Sequence, residues 1–486
     1  MSHLFESQLN VLNVGLEKFA TDLKAQGTRV TNLDWTPPGG GDEEMIAALA
    51  VLERADIAEK INAANQEAYT RIVTAQPILK GYARALDVIP GMTEKTILHA
   101  GPPIAWKDMN GPMKGAVTGA IVFEGWAKNL EEAAELAASG EITFSPCHEH
   151  QAVGSMTGIT SPSMYVHVVE NVTHGNIAFT NLSEQLAKIL RMGANDQSVI
   201  DRLVWMRDVF GPVLAQAMTF CEEGIDLRLM LAQALHMGDE CHNRNVAGTT
   251  LLIQKLAPYI LDTDFSTKDK KDVFNFVASS DYFSGPTWMV CAKAALDAAQ
   301  GIEHSTVLYT MARNGVEFGI RVSGLPGQWF TGPAQQVIGP MFAGYKPEDS
   351  GLDVGDSAIT ETYGIGGFAM AAAPAIVSLV GGTVDDAMRY SKTMCQITTG
   401  LNPNVTIPSL NFMGCPTGID VRKVVDTGVL PLINTAIAHK EAGIGMIGAG
   451  IVNPPMEAFK KAIIALASNT LNSQETYYVY PVLEKR

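Results

Sequence analysis

Residues 144–158 read Phe-Ser-Pro-Cys-His-Glu-His-Gln-Ala-Val-Gly-Ser-Met-Thr-Gly. Residues 142–144, Ile-Thr-Phe, lead into this segment and predict a strand. The second half of the segment is rich in small residues and predicts a loop. In proteins that mix strands and helices, chemistry is commonly done where a strand end releases polar groups into a loop. The segment therefore predicts an α+β protein with a functional site at this strand end. A surface loop that holds two histidines is the alternative interpretation.

Four adjacent side chains of this segment, Cys147, His148, Glu149 and His150, can serve proton transfer or metal binding. We expect His148 or His150 to carry a proton or to polarise a carbonyl group. We expect Glu149 and Glu361 to orient a histidine or an amide, and Cys147 to be structural. If the segment continues as a strand, the two histidines, two positions apart, share a face.

A metal site is an alternative for the same residues. Together with His242 they would supply enough ligands for a zinc-dependent hydrolase or lyase. Adjacent residues rarely bind one ion together, however, and the chain has no HExxH motif. We therefore expect neither a metal nor any other cofactor.

Composition narrows the class of partner. The chain has 486 residues, 47% of them apolar and 18% charged, which predicts a globular protein of several domains. The net charge of −16 argues against nucleic acid and anionic membranes as partners, but allows a local basic pocket for a small anion. The six cysteines have no CxxC spacing and the N-terminus has no signal-peptide pattern, which predicts a cytoplasmic protein with reduced thiols.

The periodicity of the apolar residues divides the chain. Residues 10–35 predict a βαβ unit, and we assign residues 1–90 to an N-terminal α/β domain. Residues 183–300 are almost continuously helical, with apolar residues at intervals of three and four. They predict an all-helical domain inserted into a central α+β domain, which consists of residues 91–182 and 301–486. The expected fold class is multidomain and mixed α+β.

Residues 236–245, inside the helical segment, are unusually polar for a buried helix. If they are helical, Asp239 and His242 lie three positions apart and share a face. We expect His242 to be catalytic and Arg244 to hold a carboxylate through two hydrogen bonds. A helix cap with solvated neighbours is the alternative.

Basic side chains occur in several glycine-rich loops. Lys107 and Lys114 lie among glycines and prolines, where a lysine beside exposed N–H groups suits phosphate or carboxylate, although a structured surface loop explains them equally well. Residues 305–322 predict two strands around a polar turn, which would place Glu317 and Arg321 on one face. The predicted substrate-binding side chains are Lys107, Lys114, Arg244, Arg313, Arg321, Glu361 and Asn402.

Several multi-residue motifs distributed over the chain resemble those of the YlbE/YahG-like family. They are Asn13-Val-Gly-Leu-Glu17, Asp34-Trp-Thr-Pro-Pro-Gly-Gly-Gly-Asp42, Ser145–Gly158, Asp239-Glu-Cys-His-Asn-Arg244, and Ala449-Gly-Ile451 with Pro454-Pro455. The family is described as a domain of unknown function associated with FdrA-like proteins, which are related to acyl-CoA synthetases. One branch, the AllG type, is the large subunit of an oxamate carbamoyltransferase of allantoin degradation.

This resemblance implies an oligomeric carbamoyltransferase subunit with an FdrA-like partner subunit. Its substrates would be small anions, namely carbamoyl phosphate and oxamate or oxalurate. Such a reaction needs anion clamps, a donor for the developing oxyanion and a proton carrier. A non-catalytic subunit that binds the FdrA-like partner is a further alternative.

Overall fold

The structure is a computed structural model and describes residues 9–15, 17–33, 37–185 and 188–474. Helices and strands are mixed along the whole chain, which confirms the α+β class. The strands are β1 (Asn10–Val14), β2 (Arg29–Leu33), β3 (Pro77–Arg84), β4 (Thr96–His99), β5 (Thr143–Pro146), β6 (Ala152–Val153), β7 (Tyr165–Asn171), β8 (Ile177–Asn181), β9 (Ile225–Asp226), β10 (Leu308–Asn314), β11 (Glu317–Val322), β12 (Phe330–Pro333), β13 (Val354–Gly355), β14 (Thr398–Ile407), β15 (Met413–Ile419), β16 (Ile433–Ala438) and β17 (Met446–Val452).

The helices are α1 (Glu17–Ala25), α2 (Glu43–Leu52), α3 (Ala55–Thr74), α4 (Ala85–Val88), α5 (Gly111–Phe123), α6 (Leu130–Ser139), α7 (Gln197–Trp205), α8 (Gly211–Thr219), α9 (Leu227–His236), α10 (Val246–Asp262), α11 (Thr267–Ala278), α12 (Gly285–Asp297), α13 (Ile359–Tyr363), α14 (Val377–Val380), α15 (Val384–Thr393), α16 (Val421–Thr427) and α17 (Met456–Gln474). Within the described residues, none of them is long and apolar enough to cross a membrane.

The N-terminal unit is the predicted βαβ. Strands β1 and β2 pair in parallel, with Asn10 opposite Arg29, and α1 connects them. The first residue of the predicted helix, Leu16, and the predicted end of the second strand, residues 34–35, lie outside the described residues.

The largest sheet has five strands in the order β6-β8-β7-β3-β9, and a second sheet has four in the order β12-β11-β10-β13. The five-stranded sheet takes strands from all three predicted domains, because β3, β7 and β9 fall in different segments of the predicted division. The domain boundaries near residues 90, 182 and 300 stay a prediction.

Helix α12 lies at the centre of the larger core. Every residue from Pro286 to Leu296 is buried, as expected for a helix that is apolar on all sides. The helix packs against β7 and β8, and its Ala294 carbonyl accepts a hydrogen bond from the Asn171 side chain at 3.1 Å. The buried position of α12 fixes where its N-terminal end points.

Two segments differ from the expectation. Residues 240–245 are a loop between α9 and α10, with Cys241 at φ 65°, so Asp239 and His242 do not share a helix face. Residues 398–419, whose Pro, Gly and Asn content at 400–408 and 411–420 predicts polar loops between short strands, form the antiparallel pair β14 and β15. Their Asn, Pro and Gly residues fall at a register irregularity between Asn402 and Thr406, which hides the strand pattern in the sequence.

Candidate active site

A cleft lies between several parts of the chain. We call it the central cleft. Its walls come from the loop after β6, residues 189–192, the loop between α9 and α10, the N-terminal end of α12, the residues at the start of α13, and strands β16 and β17. The side chains used below are Ser155, Arg191, His242, Asn243, Asn245, Ser357, Thr360 and Thr435.

His242 is the titratable group of the cleft that is best placed for proton transfer. Its side chain is 8% exposed, and its Nδ1 lies 2.8 Å from Oε1 of Glu361, which is fully buried at the start of α13. The Thr360 hydroxyl lies 3.0 Å from the same ring nitrogen. Because Nδ1 is bonded to a carboxylate, it carries the proton, and Nε2 is left as the nitrogen that can accept one.

The loop that carries His242 is shaped by one buried carboxylate. Glu240 accepts hydrogen bonds from the backbone N–H groups of His242, Asn243 and Arg244, each at 2.6 Å. These bonds replace those that a helix would have made, which explains why the segment is not helical. Burial raises the pKa of Glu240 to about 7, while the nearby His242 and the three N–H groups oppose that shift.

Three polar atoms of the cleft have no hydrogen-bond partner within the described residues. They are Nε of Arg191, Nδ2 of Asn243 and Oδ1 of Asn245. The three residues are 3%, 5% and 1% exposed, so bulk solvent does not cover these atoms. Buried polar groups are nearly always satisfied by protein or by ordered water, and atoms left over beside a cleft mark where an ordered water or a polar group of a ligand would bind.

The N-terminal end of α12 adds positive potential to the cleft. Its first residue, Gly285, lines the cleft, and the dipole of a helix N-terminus favours an anion. The N-terminus of α10 is already capped by the Asp239 carboxylate, which accepts a hydrogen bond from the Gly248 N–H at 2.8 Å. The guanidinium of Arg191 adds a cation, although it is paired with Glu184 at 3.2 Å.

Arg313 supports the cleft wall from behind. Its guanidinium makes two hydrogen bonds to Asp353, at 2.6 and 2.8 Å. It also donates to the hydroxyls of Ser357 and Thr435, which both line the cleft. Since its donors are engaged, the structure places Arg313 as a support of the wall and not at its surface.

The cysteine and histidines of the 144–158 segment lie outside the central cleft. Strand β5 ends at Pro146, and residues 147–150 form a 3-10 turn, so the expectation that His148 and His150 share a strand face is wrong. His148 is buried, with Nε2 3.6 Å from Asp356. His150 uses both ring nitrogens, on the Pro90 carbonyl and the Ser145 hydroxyl.

The second half of the segment does reach the cleft, through Ser155 and Met156. Asp356, which is fully buried, accepts hydrogen bonds from the N–H groups of Gly154 and Gly101 at 2.9 and 2.8 Å. It therefore connects this loop to Ser357 at the cleft. Burial raises the pKa of Asp356 to about 7.

The remaining predicted residues do not line the cleft. Lys107 is exposed, and the Lys114 ammonium donates to its carbonyl at 3.0 Å. Arg244 is 41% exposed and donates to the Gly238 carbonyl. Asn402 is buried, with Nδ2 3.5 Å from the Tyr363 hydroxyl. Glu149 accepts a hydrogen bond from the Trp329 indole. Glu361 is bonded to His242. Arg321 donates to the His148 carbonyl.

Metal ligands do not come together in the described part of the chain. No three His, Cys, Asp or Glu side chains there are arranged around a common point that could hold an ion. The chemistry offered by the central cleft is that of a buried histidine–carboxylate pair beside amide groups and the N-terminus of α12. Groups of this kind are chemically suited to hold a small anion and to transfer a proton to or from it.

Comparison with known proteins assigns the family. The family described as "Oxamate carbamoyltransferase subunit AllG" matches residues 142–357. The uncharacterized protein YahG of Escherichia coli K12 is 70% identical over 461 residues, which cover 95% of this chain and 98% of YahG. The oxamate carbamoyltransferase subunit AllG of the same strain is 47% identical over 408 residues, covering 84% of this chain and 97% of AllG.

A crystal structure of a conserved protein of unknown function from Enterococcus faecalis V583 is also similar. It is 71% identical, has a TM-score of 0.84, and covers 85% of this chain and 98% of its own. The chain therefore belongs to the YahG/AllG family, which confirms the resemblance found in its motifs.

Proposed function

We propose that this chain is a carbamoyltransferase subunit and that the central cleft holds its reaction. In the catabolic direction, a phosphate oxygen attacks the carbamoyl carbon of oxalurate, the C–N bond breaks, and carbamoyl phosphate and oxamate leave. The observation that carries the proposal is the set of three unpartnered atoms, on Arg191, Asn243 and Asn245, beside the His242–Glu361 pair.

The three atoms match the polar groups of a carbamoyl compound. Nε of Arg191 and Nδ2 of Asn243 can donate to carbonyl or carboxylate oxygens, whereas Oδ1 of Asn245 can accept from an amide N–H. The orientation of Asn245 is fixed, because its Nδ2 donates to the His242 carbonyl at 2.7 Å. An amide N–H of the substrate would therefore meet an acceptor that cannot rotate away.

His242 would carry the proton. In the catabolic direction His242 Nε2 takes the proton of the attacking hydrogen phosphate and delivers it to the leaving nitrogen of oxamate as the C–N bond of oxalurate breaks. In the reverse direction the same nitrogen accepts the proton from the attacking amide and returns it to the phosphate that leaves. Glu361 holds the ring through Nδ1 and stabilises the imidazolium that carries the proton.

The phosphate would lie near the N-terminal end of α12. That end reaches the cleft at Gly285, and an anion there gains from the helix dipole without a dedicated lysine. Developing charge on the carbamoyl oxygen would be stabilised by Arg191 and Asn243 in the same cleft.

AllG is named a subunit, so we propose that this chain also acts within a complex. The partner would be an FdrA-like subunit, the setting the cytoplasmic degradation of allantoin, and the substrates carbamoyl phosphate, phosphate, oxamate and oxalurate. Binding small anions through a local cleft is compatible with the net charge of −16.

Release of inorganic phosphate tests this function. The purified chain is incubated with oxamate and carbamoyl phosphate, alone and with its partner subunits. We expect phosphate release above the spontaneous rate in the assembled complex, and oxalurate in equal amount. If no combination releases phosphate, the proposal fails.

A further inference from the structure

Arg321 is a buried arginine without a carboxylate partner. It is 5% exposed, and no carboxylate oxygen of the described residues lies within 4.0 Å of its guanidinium. Two other buried arginines do have such partners: Arg191 pairs with Glu184 and Arg313 with Asp353. A buried charge is costly unless it is paired. Arg321 therefore lacks the counter-charge that the fold gives to the other two.

The side chains around Arg321 are also unpartnered. Nε of Arg321, both ring nitrogens of His148, and the hydroxyls of Tyr309 and Thr310 are buried without a hydrogen bond. Thr310 lies directly opposite Arg321 in the β10–β11 pair, and the guanidinium carbon is 5.3 Å from the centre of the Tyr309 ring. The His148 carbonyl accepts from Nη1 of Arg321 at 3.2 Å. Three neighbours of the Arg321 guanidinium thus have unused polar atoms.

Two carboxylates of this region have other partners. Asp297 is 2.8 Å from the ammonium of Lys293, which is 1% exposed. Asp356 accepts from two backbone N–H groups and lies 3.6 Å from Nε2 of His148, which leaves Nδ1 of that ring for a ligand. Burial, followed by the charges of Lys293 and Arg321, lowers the pKa of His148 well below its usual value, so its ring is neutral and offers one N–H donor. The environment of Arg321 is rich in donors.

Trp329 covers this group of residues on the solvent side. Its ring centre is 5.3 Å from the Arg321 guanidinium carbon and 6.0 Å from the His148 ring centre. The indole N–H donates to the exposed Glu149 at 3.1 Å. The preceding residues, 326–328, are exposed. Trp329 is half-buried, so its indole lies between Arg321 and the exposed residues 326–328.

We propose that Arg321, His148, Tyr309 and Thr310 form a binding site for a small inorganic oxyanion, separate from the central cleft and covered by Trp329. The oxyanion would accept hydrogen bonds from the free Nε edge of Arg321, from the imidazole and from the two hydroxyls, and would supply the missing negative charge. None of these four residues lines the central cleft. The site does not depend on carbamoyl transfer.

The test measures the thermal unfolding midpoint of the full chain against the concentration of phosphate, sulfate or bicarbonate at constant ionic strength. An anion that binds the folded state raises the midpoint with the logarithm of its concentration. We expect a rise of about 3 °C for at least one anion at a concentration about 100 times its Kd. The rise should be smaller in Arg321→Met than in the wild type, because only the central cleft can still bind the anion, and it should keep its full size in Arg389→Gln, which removes an exposed arginine.

Two results overturn the proposal: no anion raises the midpoint of the wild-type chain, or Arg321→Met responds as the wild type does. A second readout does not need an altered Arg321. Because Trp329 covers the site, anion binding should change tryptophan fluorescence, and Trp329→Phe should abolish that change while the midpoint still responds. An equal fluorescence change in Trp329→Phe would contradict the assigned position.

Discussion

The imidazole Nδ1 of His242 lies 2.8 Å from the carboxylate of Glu361, although 119 positions separate the two residues. His242 is held by the loop that Glu240 organises. Glu361 is held in the first turn of α13, and its carboxylate also accepts a hydrogen bond from the N–H of Gly367. Two independently fixed elements thus hold one ring in a single orientation. This arrangement is what a proton carrier in the central cleft requires.

Glu361→Gln should reduce kcat for phosphate release by at least about 100-fold with little change in KM. Glutamine keeps an acceptor for the Gly367 N–H, but it cannot stabilise an imidazolium on His242. The measurement is steady-state kinetics of the assembled complex from pH 6 to pH 9. If the role of Glu361 is purely structural, the loss of kcat should be accompanied by a fall in the thermal unfolding midpoint of the chain.

Gly366→Ala should inactivate the cleft through steric displacement. Gly366 has φ 62°, and a Cβ there would be 2.1 Å from Oε1 of Glu361 and 3.1 Å from the His242 Cβ. The matched control is Gly125→Ala, at φ 72° with no atom within 4 Å of the added Cβ. Both variants carry the strain of a positive φ, about 1 kcal/mol, but only Gly366→Ala should lose activity. Equal activities would contradict the assigned geometry.

Asn243→Ala and Asn245→Ala should each raise KM for oxamate roughly tenfold, the effect of one lost hydrogen bond to a bound ligand. The control is Asn176→Ala, which removes a partly buried amide that donates to the Ala294 carbonyl, away from the cleft. Substrate titrations of the three variants decide the point. Unchanged KM values in the two cleft variants would show that their unpartnered atoms face no substrate.

The free energy of unfolding should depend on pH through Asp356. Its pKa is raised from 3.8 to about 7, so between these values the folded chain keeps a proton that the unfolded chain has released. Stability from this group is therefore lost as pH rises through that window, by about 1.4 kcal/mol per pH unit. From pH 5 to pH 7, the free energy of unfolding of the wild type should fall by about 2 kcal/mol more than that of Asp356→Asn.

Denaturant unfolding of wild type and Asp356→Asn at the two pH values measures this difference. Asp262→Asn, which alters an exposed carboxylate at the end of α10, serves as the control and should run parallel to the wild type. If the free energy of unfolding of Asp356→Asn changes with pH just as that of the wild type does, Asp356 is not protonated in the folded chain.

Local patterns predicted much of the fold. The βαβ unit, the strand before the 147–150 turn and the β10–β11 hairpin follow from alternation and turn residues that act over short distances. The loop at 240–245 could not be predicted in this way. It depends on one side chain, Glu240, which turns back onto three backbone N–H groups and replaces helix bonds in an apparently helical sequence.

The site was predictable in its parts but not in its assembly. His242 and Glu361 were both chosen from their polar surroundings, yet nothing local indicated that they meet. Arg191 was missed because it falls in a stretch that resembled an ordinary helix, and its role depends on an unpartnered Nε that only the fold reveals. Conversely, residues 147–150 form a turn that buries His148 and turns His150 onto Pro90, which the strand interpretation could not show.

The central claim is that His242 carries the proton of a carbamoyl transfer in the central cleft. It is tested most directly by phosphate release from carbamoyl phosphate and oxamate in a complex assembled with His242→Gln subunits. We predict a kcat at least about 100-fold below that of the wild-type complex, with the complex still assembled. Activity equal to wild type, together with complete loss when the chain is omitted, would contradict the claim and make this chain a non-catalytic subunit.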